Sequence, residues 1–224
     1  MRRTLAQLRL LLRRRWGLYT FSQIGKLNIA SDDLLAEYGY SFSRKIIELE
    51  SYTGTLDRLT ETRRRIDEIL FYIDLTNEAA RREVLIAPVI TDIVHYTHAQ
   101  LRIEYSINVS NWLQGNLDYF LKTQTNLLVV EAKQEDITKG FNQMAVEMIS
   151  LDLWEKTPAV ELQPVLVGAV TTGELWRFGT LHRQSKHITQ DLSLYRVPGE
   201  LEMVERILSA ILINHEDTFS EGVR

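Results

Sequence analysis

The sequence predicts an α/β fold, a central mixed β-sheet flanked by helices, with a helical N-terminal extension. Strict apolar and polar alternation over residues 101–109 predicts a half-buried strand. Two short apolar runs, at residues 126–133 and 164–170, are typical of buried strands. Apolar positions recur with helical spacing over residues 136–153, which predicts a helix packed on that sheet. The chain has 224 residues, of which 45% are hydrophobic and 25% charged, as in a globular protein with a sizeable core.

The first 75 residues carry helical patterns. Residues 1–16 place leucines on one side of a helical projection and arginines on the other. Such a helix either packs on its own domain or a dimer partner, or serves as a phosphate-contacting arm. Helices are also expected over residues 31–50, where Ser31 is a candidate N-cap, and over residues 55–72. We therefore expect an all-helical region at 1–75 and a second domain at 76–224.

The second region alternates between the two kinds of element. We expect Thr76 or Asn77 to cap its first helix and Pro88 to kink or divide that helix. Turn residues around Gly115 join two strands into a hairpin, and Gly173 turns a second hairpin. The predicted elements, in chain order, are helix 76–98, strands 101–109, 116–122 and 126–133, helix 136–153, strands 164–170 and 175–182, and helix 199–215. This order predicts a sheet with helices on its faces.

Charge and composition exclude several classes of protein. The net charge is −4. Residues 1–75 contain 13 Lys and Arg and 10 Asp and Glu, whereas residues 76–224 contain 13 Lys and Arg and 20 Asp and Glu. Such a balance is not that of a strongly basic nucleic-acid-binding protein. The absence of cysteine excludes a disulfide scaffold, a thiolate zinc site and a cysteine nucleophile. No apolar run approaches the ~20 residues of a membrane span, so we expect a cytoplasmic, soluble protein with no membrane partner.

Three charged residues lie where two strands should meet. Asp118 is in the second predicted strand, and Glu131 and Lys133 end the third. Alternation puts Glu131 and Lys133 on one face, and Asp118 reaches that face if the two strands are neighbours. Carboxylate oxygens are the ligands that Mg²⁺ prefers, and the backbone carbonyl of Ala132 is a further candidate ligand. Lys133 could orient or deprotonate a water, or stabilise charge on a phosphate.

The spacing of these residues resembles that of the PD-(D/E)XK, or restriction-endonuclease-like, nuclease superfamily. Leu117 takes the place of the proline in the motif, and twelve residues separate Asp118 from Glu131-Ala132-Lys133. The resemblance covers about residues 76–215, and the family core has the order αβββαβ. It implies that Asp118 and Glu131 bind Mg²⁺, with Mn²⁺ as a substitute, and that Lys133 acts on the attacking water.

The resemblance also suggests outer members of the site. Gln143 matches a glutamine at the edge of the active site in some branches of the family. Those branches often have tyrosine four residues later, where this chain has Glu147. Glu83 matches an acidic residue that often completes the metal shell, and Glu78 is a nearby competitor.

The sequence therefore predicts a metal-dependent nuclease that hydrolyses phosphodiester bonds, with DNA favoured over RNA. The alternative is a catalytically silent binding or assembly module with the nuclease fold, or a subunit of a larger restriction or repair complex. A homodimer would suit cutting of both strands of a duplex, and a partner subunit is the other candidate. No phosphate-binding loop, dinucleotide-binding motif or serine-hydrolase elbow supports another enzyme class.

Overall fold

A computed structural model describes residues 20–213 of the chain. The helix predicted for residues 1–16 lies outside the described residues. The helices are α1 (Phe21–Ile24), α2 (Ser31–Glu37), α3 (Leu59–Ile69), α4 (Glu78–Arg81), α5 (Ala87–Thr97), α6 (Ile137–Leu153) and α7 (Leu201–Leu212), with a π-helical turn at Arg82–Ile86. The strands are β1 (Ser41–Lys45), β2 (Gln100–Ser110), β3 (Leu113–Lys122), β4 (Leu127–Ala132), β5 (Val165–Thr171), β6 (Leu175–His182), β7 (His187–Asp191) and β8 (Tyr195–Arg196).

The strands form one mixed eight-stranded sheet. Seven of them follow the order β1-β7-β6-β5-β4-β3-β2, and β8 pairs with β6. β4 and β5 are parallel, as are β1 and β7, and the other pairs are antiparallel. The parallel pair β4 and β5 is joined by α6, which is the crossover that such a pair requires. The predicted mixed sheet of an α/β fold is therefore confirmed.

Helices cover both faces of this sheet, and each face has its own apolar core. One core contains Phe21, Leu34 and Phe141 from α1, α2 and α6. The other contains Ile66, Ile90 and Leu208 from α3, α5 and α7. The central strand β4 has every residue buried between these two layers, which explains its continuous apolar sequence.

The predicted strands and helices of the second region are confirmed to within a few residues. Both hairpins are present, since β2 pairs with β3 and β5 pairs with β6 in antiparallel register. Asn77 caps α4 by accepting a hydrogen bond from the Ala80 amide. The first helix of this region is divided just before Pro88, where the Ala87 amide donates to the Arg82 carbonyl in a π-helical turn. Pro88 has no N–H to continue the preceding ladder, so a break is expected there.

The all-helical prediction for residues 1–75 is wrong. Of the helix predicted at 31–50, Ser31–Glu37 is helical, and Ser41–Lys45 is instead the edge strand β1. Its partner β7, which the sequence did not predict, supplies His187, whose ring nitrogens bond the hydroxyls of Ser41 and Ser43. Pairing with β7 thus overrides the weak helical pattern of a polar segment.

The described helices include none that could span a membrane. Within residues 20–213, no helix is both long and apolar enough to cross a bilayer.

Candidate active site

Asp118 and Glu131 lie side by side at one end of the sheet. Tyr119 pairs with Val130 in the antiparallel register of β3 and β4, which puts Asp118 opposite Glu131. Glu131 in turn pairs with Val170 of β5, whose side chain belongs to the core under α6. The two carboxylates therefore face the α6 layer from neighbouring strands, as the sequence predicted.

Asp118 is held by backbone and by a cation. Its Oδ2 accepts a hydrogen bond of 2.8 Å from the Ala132 amide, and its Oδ1 lies 3.7 Å from Nη1 of Arg82. The side chain is 14% exposed. Burial raises the pKa of Asp118, and the Ala132 amide and the Arg82 charge oppose that rise. The carboxylate is thus oriented before any ligand arrives.

Glu131, Lys133 and Gln143 form a connected group. The Glu131 side chain is 1% exposed, and Nζ of Lys133 donates to its Oε1. The same ammonium donates to Oε1 of Gln143 at 3.0 Å. Burial lowers the pKa of Lys133, but the charge of Glu131 and its hydrogen bond outweigh burial and leave the pKa raised. Lys133 is therefore a charged ammonium at neutral pH, fixed between a strand carboxylate and a helix amide.

Glu147 completes this group from the next turn of α6. Its Oε1 accepts 3.0 Å from Nε2 of Gln143, and the residue is fully buried. Burial, with the charge of Asp118, raises the pKa of Glu147 to about 7. Burial and the charge of Glu147 also raise the pKa of Glu131 well above its ordinary value. Because two buried like charges repel each other, ionisation of one carboxyl disfavours ionisation of the other. Glu147 lies in a helix whose residues are buried on nearly every side. A charged residue within such an apolar helical segment was the signal that could have revealed it.

The sequence pattern did not indicate Arg82 and Glu104 as members of this site. Arg82 follows α4 in the π-helical turn, donates to Glu104, and lies over the Tyr119 ring at 5.1 Å. Glu104 has a φ of +51°, and the ladder is interrupted between Ile103 and Tyr105. This kink turns Glu104 towards the cavity instead of the polar surface that its alternation indicated.

These side chains surround a cavity of about 540 Å³. Its lining includes Asp118, Glu131, Lys133 and Gln143, together with Glu78 and Glu104. Other lining residues are Thr20, Ser22, Gly25, Lys26, Gly115, Asn116, Gln134, Glu135, Asp136 and Lys139. Carboxylates outnumber cations in this lining, so the cavity attracts positive ions.

The remaining predicted ligands are placed differently. Glu78 lines the cavity, and the charges of Lys133 and Asp118 both act on its carboxyl. Glu83 is exposed and is not part of that lining. Ala132 is fully buried, and its amide donates to Asp118; its carbonyl oxygen, the atom that the sequence suggested as a ligand, stays a prediction. Of the two acidic candidates on the preceding helix, the structure thus brings Glu78 to the cavity.

A segment of the N-terminal region forms one wall of the cavity. Phe21 and Ile24 anchor it in the core, and Phe21 packs where Gly115 has no side chain. A Cβ on Gly25 would lie 2.5 Å from Oε1 of Gln143. Gly25 has an ordinary helical φ of −58°, so space rather than backbone conformation requires glycine there.

The donor atoms suit a hard cation. Oε2 of Glu131 and Oε2 of Glu147 are buried and have no hydrogen-bond partner. Within residues 20–213, no group of three or more His, Cys, Asp or Glu side chains is already arranged to hold a metal ion. Mg²⁺ does not require one, because it is commonly held by one or two carboxylates and several waters. Asp118 and Glu131 thus fit the predicted Mg²⁺ by their chemistry.

Comparison with known proteins identified no relative: the chain matched no family model, no curated protein and no solved structure.

Proposed function

We propose that this protein is a divalent-cation-dependent nuclease of the PD-(D/E)XK type, acting on phosphodiester bonds with DNA favoured over RNA. One observation carries the proposal. Asp118, Glu131 and Lys133 meet at one cavity, from adjacent strands in register, at the end of a mixed sheet. The order of helices and strands around them also agrees with the αβββαβ core of that superfamily.

Each member of the group has a distinct task in this proposal. Asp118 and Glu131 would hold Mg²⁺ or Mn²⁺, which supplies Lewis-acid stabilisation of the charge that develops on the phosphate. Lys133 donates hydrogen bonds, which suits it to orient the attacking water and stabilise an oxyanion. Gln143 positions Lys133, and Arg82 positions Asp118.

The charge of the cavity supports a requirement for cations. Six carboxyl side chains line it against three lysines: Glu78, Glu104, Asp118, Glu131, Glu135 and Asp136, against Lys26, Lys133 and Lys139. A phosphate diester entering this lining alone would meet net negative charge. A bound divalent cation reverses the local field, so binding of the anion and of the metal should be linked.

The test is a cleavage assay on supercoiled plasmid, linear duplex, single-stranded DNA and RNA, with Mg²⁺, Mn²⁺ and EDTA arms. Asp118→Asn and Lys133→Met should each lower the rate by about 100-fold or more. Lys122→Met is the matched control, because Lys122 ends β3 at the end of the strands opposite to the cavity and its replacement should leave the rate unchanged. Cleavage that survives EDTA, or that is equal in all variants, would contradict the proposal.

A second candidate is a silent module with the same fold, or a subunit of a larger restriction or repair complex. The observation that favours it is the ion pair between Glu131 and Lys133, because this pair already engages a buried carboxyl that a metal would need. This candidate predicts no cleavage of any substrate and Mg²⁺-independent binding of a nucleic acid or a partner protein. The same assay, with a binding arm, therefore separates the two.

A further inference from the structure

The row of residues that holds the two carboxylates continues across the sheet to an arginine. Glu131 pairs with Val170, and Val170 pairs with Arg177 of β6. Side chains paired in this way point to the same face of a sheet. Arg177 therefore faces the α6 layer, in line with Asp118 and Glu131.

A second arginine lies on this face. Phe141 of α6 lies at 6.1 Å from the Phe42 ring and fills the space beside Gly179. Arg44 lies two residues after Phe42 on β1, and Arg177 lies two residues before Gly179 on β6. Because β1 and β6 run in opposite directions, both arginines are displaced from Phe141 towards the same end of the sheet. This end carries the cavity.

Neither arginine has a carboxylate at ion-pair distance within residues 20–213. Nε of Arg177 is buried without a hydrogen-bond partner. Arg44 donates to the neutral amide of Gln190 at 2.8 Å and lies over the Phe42 ring. Asp191, whose charge acts on Arg177, accepts hydrogen bonds from the amides of Ile47 and Ser193 at Oδ1, and its Oδ2 is buried without a hydrogen-bond partner.

The two cations also repel each other. Burial lowers the pKa of Arg177, the charge of Asp191 raises it, and the charge of Arg44 lowers it further. Arginine nevertheless stays protonated in proteins. Two adjacent guanidinium groups, one partly buried and neither paired with a carboxylate, would be stabilised by an anion with several acceptor oxygens, for which a phosphate group is well suited.

We infer that Arg44 and Arg177 form a subsite for backbone phosphates of a nucleic-acid strand whose scissile phosphate lies at Asp118 and Glu131. This inference rests on the proposed function and deepens it. Neighbouring strands are about 4.8 Å apart, so Arg177, two strands from β4, is roughly 10 Å from Glu131, and Arg44 is farther away. A single phosphodiester cannot reach from the cavity to this subsite. The substrate is therefore a polynucleotide.

The test measures binding of a fluorescein-labelled DNA oligonucleotide by anisotropy, in EDTA, over a range of NaCl concentrations. Arg177→Gln and Arg44→Glu should each weaken binding by about tenfold and lower the slope of log affinity against log salt by about one. Arg64→Gln is the matched control, because Arg64 on α3 is already paired with Glu61 and Glu68. It should change neither quantity.

Unchanged affinity and salt slope in Arg44→Glu would overturn the inference. Arg44 is exposed, so this variant tests the subsite even if Arg177→Gln fails to fold. The binding measurement is made without a metal ion and does not depend on cleavage. A parent chain that binds DNA through these arginines and does not cut it would refute the proposed nuclease and leave the subsite standing, so the two failures are distinguishable.

Discussion

Replacing Gly25 with alanine would place a methyl group against the amide that holds Lys133. The new Cβ would lie 2.5 Å from Oε1 of Gln143, which is closer than real Cβ contacts come. The Gln143 side chain can rotate away, but the residue is 3% exposed and bonds Lys133 and Glu147, each at 3.0 Å. The cost is therefore the loss of these two bonds rather than a backbone shift.

The size of the effect follows from these contacts. A hydrogen bond to a charged group contributes about 1.5–3 kcal/mol, and part of that is regained by rearrangement. Alanine itself stabilises a compatible glycine position by about 0.4–1 kcal/mol through the unfolded state. We expect a net loss of about 2 kcal/mol, which is a fall in Tm of roughly 4–8 °C for a chain of this size. The misplaced Lys133 should lower the cleavage rate by roughly 10- to 100-fold.

Thermal unfolding followed by circular dichroism, with the cleavage assay beside it, measures both effects. A double-mutant cycle isolates the cause: in a Gln143→Ala background the methyl group meets no amide, so Gly25→Ala should be neutral or slightly stabilising. Gly199→Ala is the control, since its Cβ would have a carbonyl oxygen at 3.8 Å as its nearest contact. Equal losses in both backgrounds, or a higher Tm for Gly25→Ala alone, would refute the reasoning.

Three further predictions concern pH, metal and a helix cap. Burial, followed by the charge of Asp92, raises the pKa of Glu205 from 4.5 to about 8. Between these two pH values the folded chain keeps the Glu205 proton and the unfolded chain has released it. Stability should fall as pH rises through this window, and Glu205→Gln should gain roughly 3–4 kcal/mol more at pH 8 than at pH 5; equal Tm shifts would contradict this. Mg²⁺ at about 100 times its Kd should stabilise the parent by about 2.7 kcal/mol in a thermal shift assay and leave Asp118→Asn unchanged, and an equal shift in both would exclude Asp118 as a ligand. Asn77→Ala removes the bond to the Ala80 amide and should cost about 1 kcal/mol in urea unfolding, where an unchanged midpoint counts against the cap.

The fold was predictable where burial leaves a periodic pattern. β2 has a solvated face and β4 has none, so alternation and a continuous apolar run identify them. β7 gives neither signal, because Thr189, Gln190 and Asp191 are buried polar residues, and each of them bonds the distant segment that contains Ser43, Arg44 and Ile47. β1 has an exposed and polar sequence that becomes a strand only through β7. A pattern local in sequence cannot report such pairing.

The site was predictable to the extent that strand register fixes it. Asp118, Glu131 and Lys133 follow from alternation on two neighbouring strands. Glu104 reaches the cavity through a positive φ, and Arg82 reaches Asp118 and Glu104 from a π-helical turn. Both features break the regular spacing on which sequence reasoning depends. Sequence periodicity therefore cannot predict the residues that reach the site through irregular backbone geometry.

The pairing of β1 with β7 sets an order of events during synthesis. Ser41 and His187 are 146 positions apart, so at roughly 5–20 residues per second the ribosome needs about 7–30 s to supply the partner of β1. The hairpin of β2 and β3 needs no such wait, because its strands are adjacent in the chain. The nascent chain should therefore pair β2 with β3 first and add β1 to the far edge of the sheet last, with residues 41–45 open to proteases and chaperones in the interval.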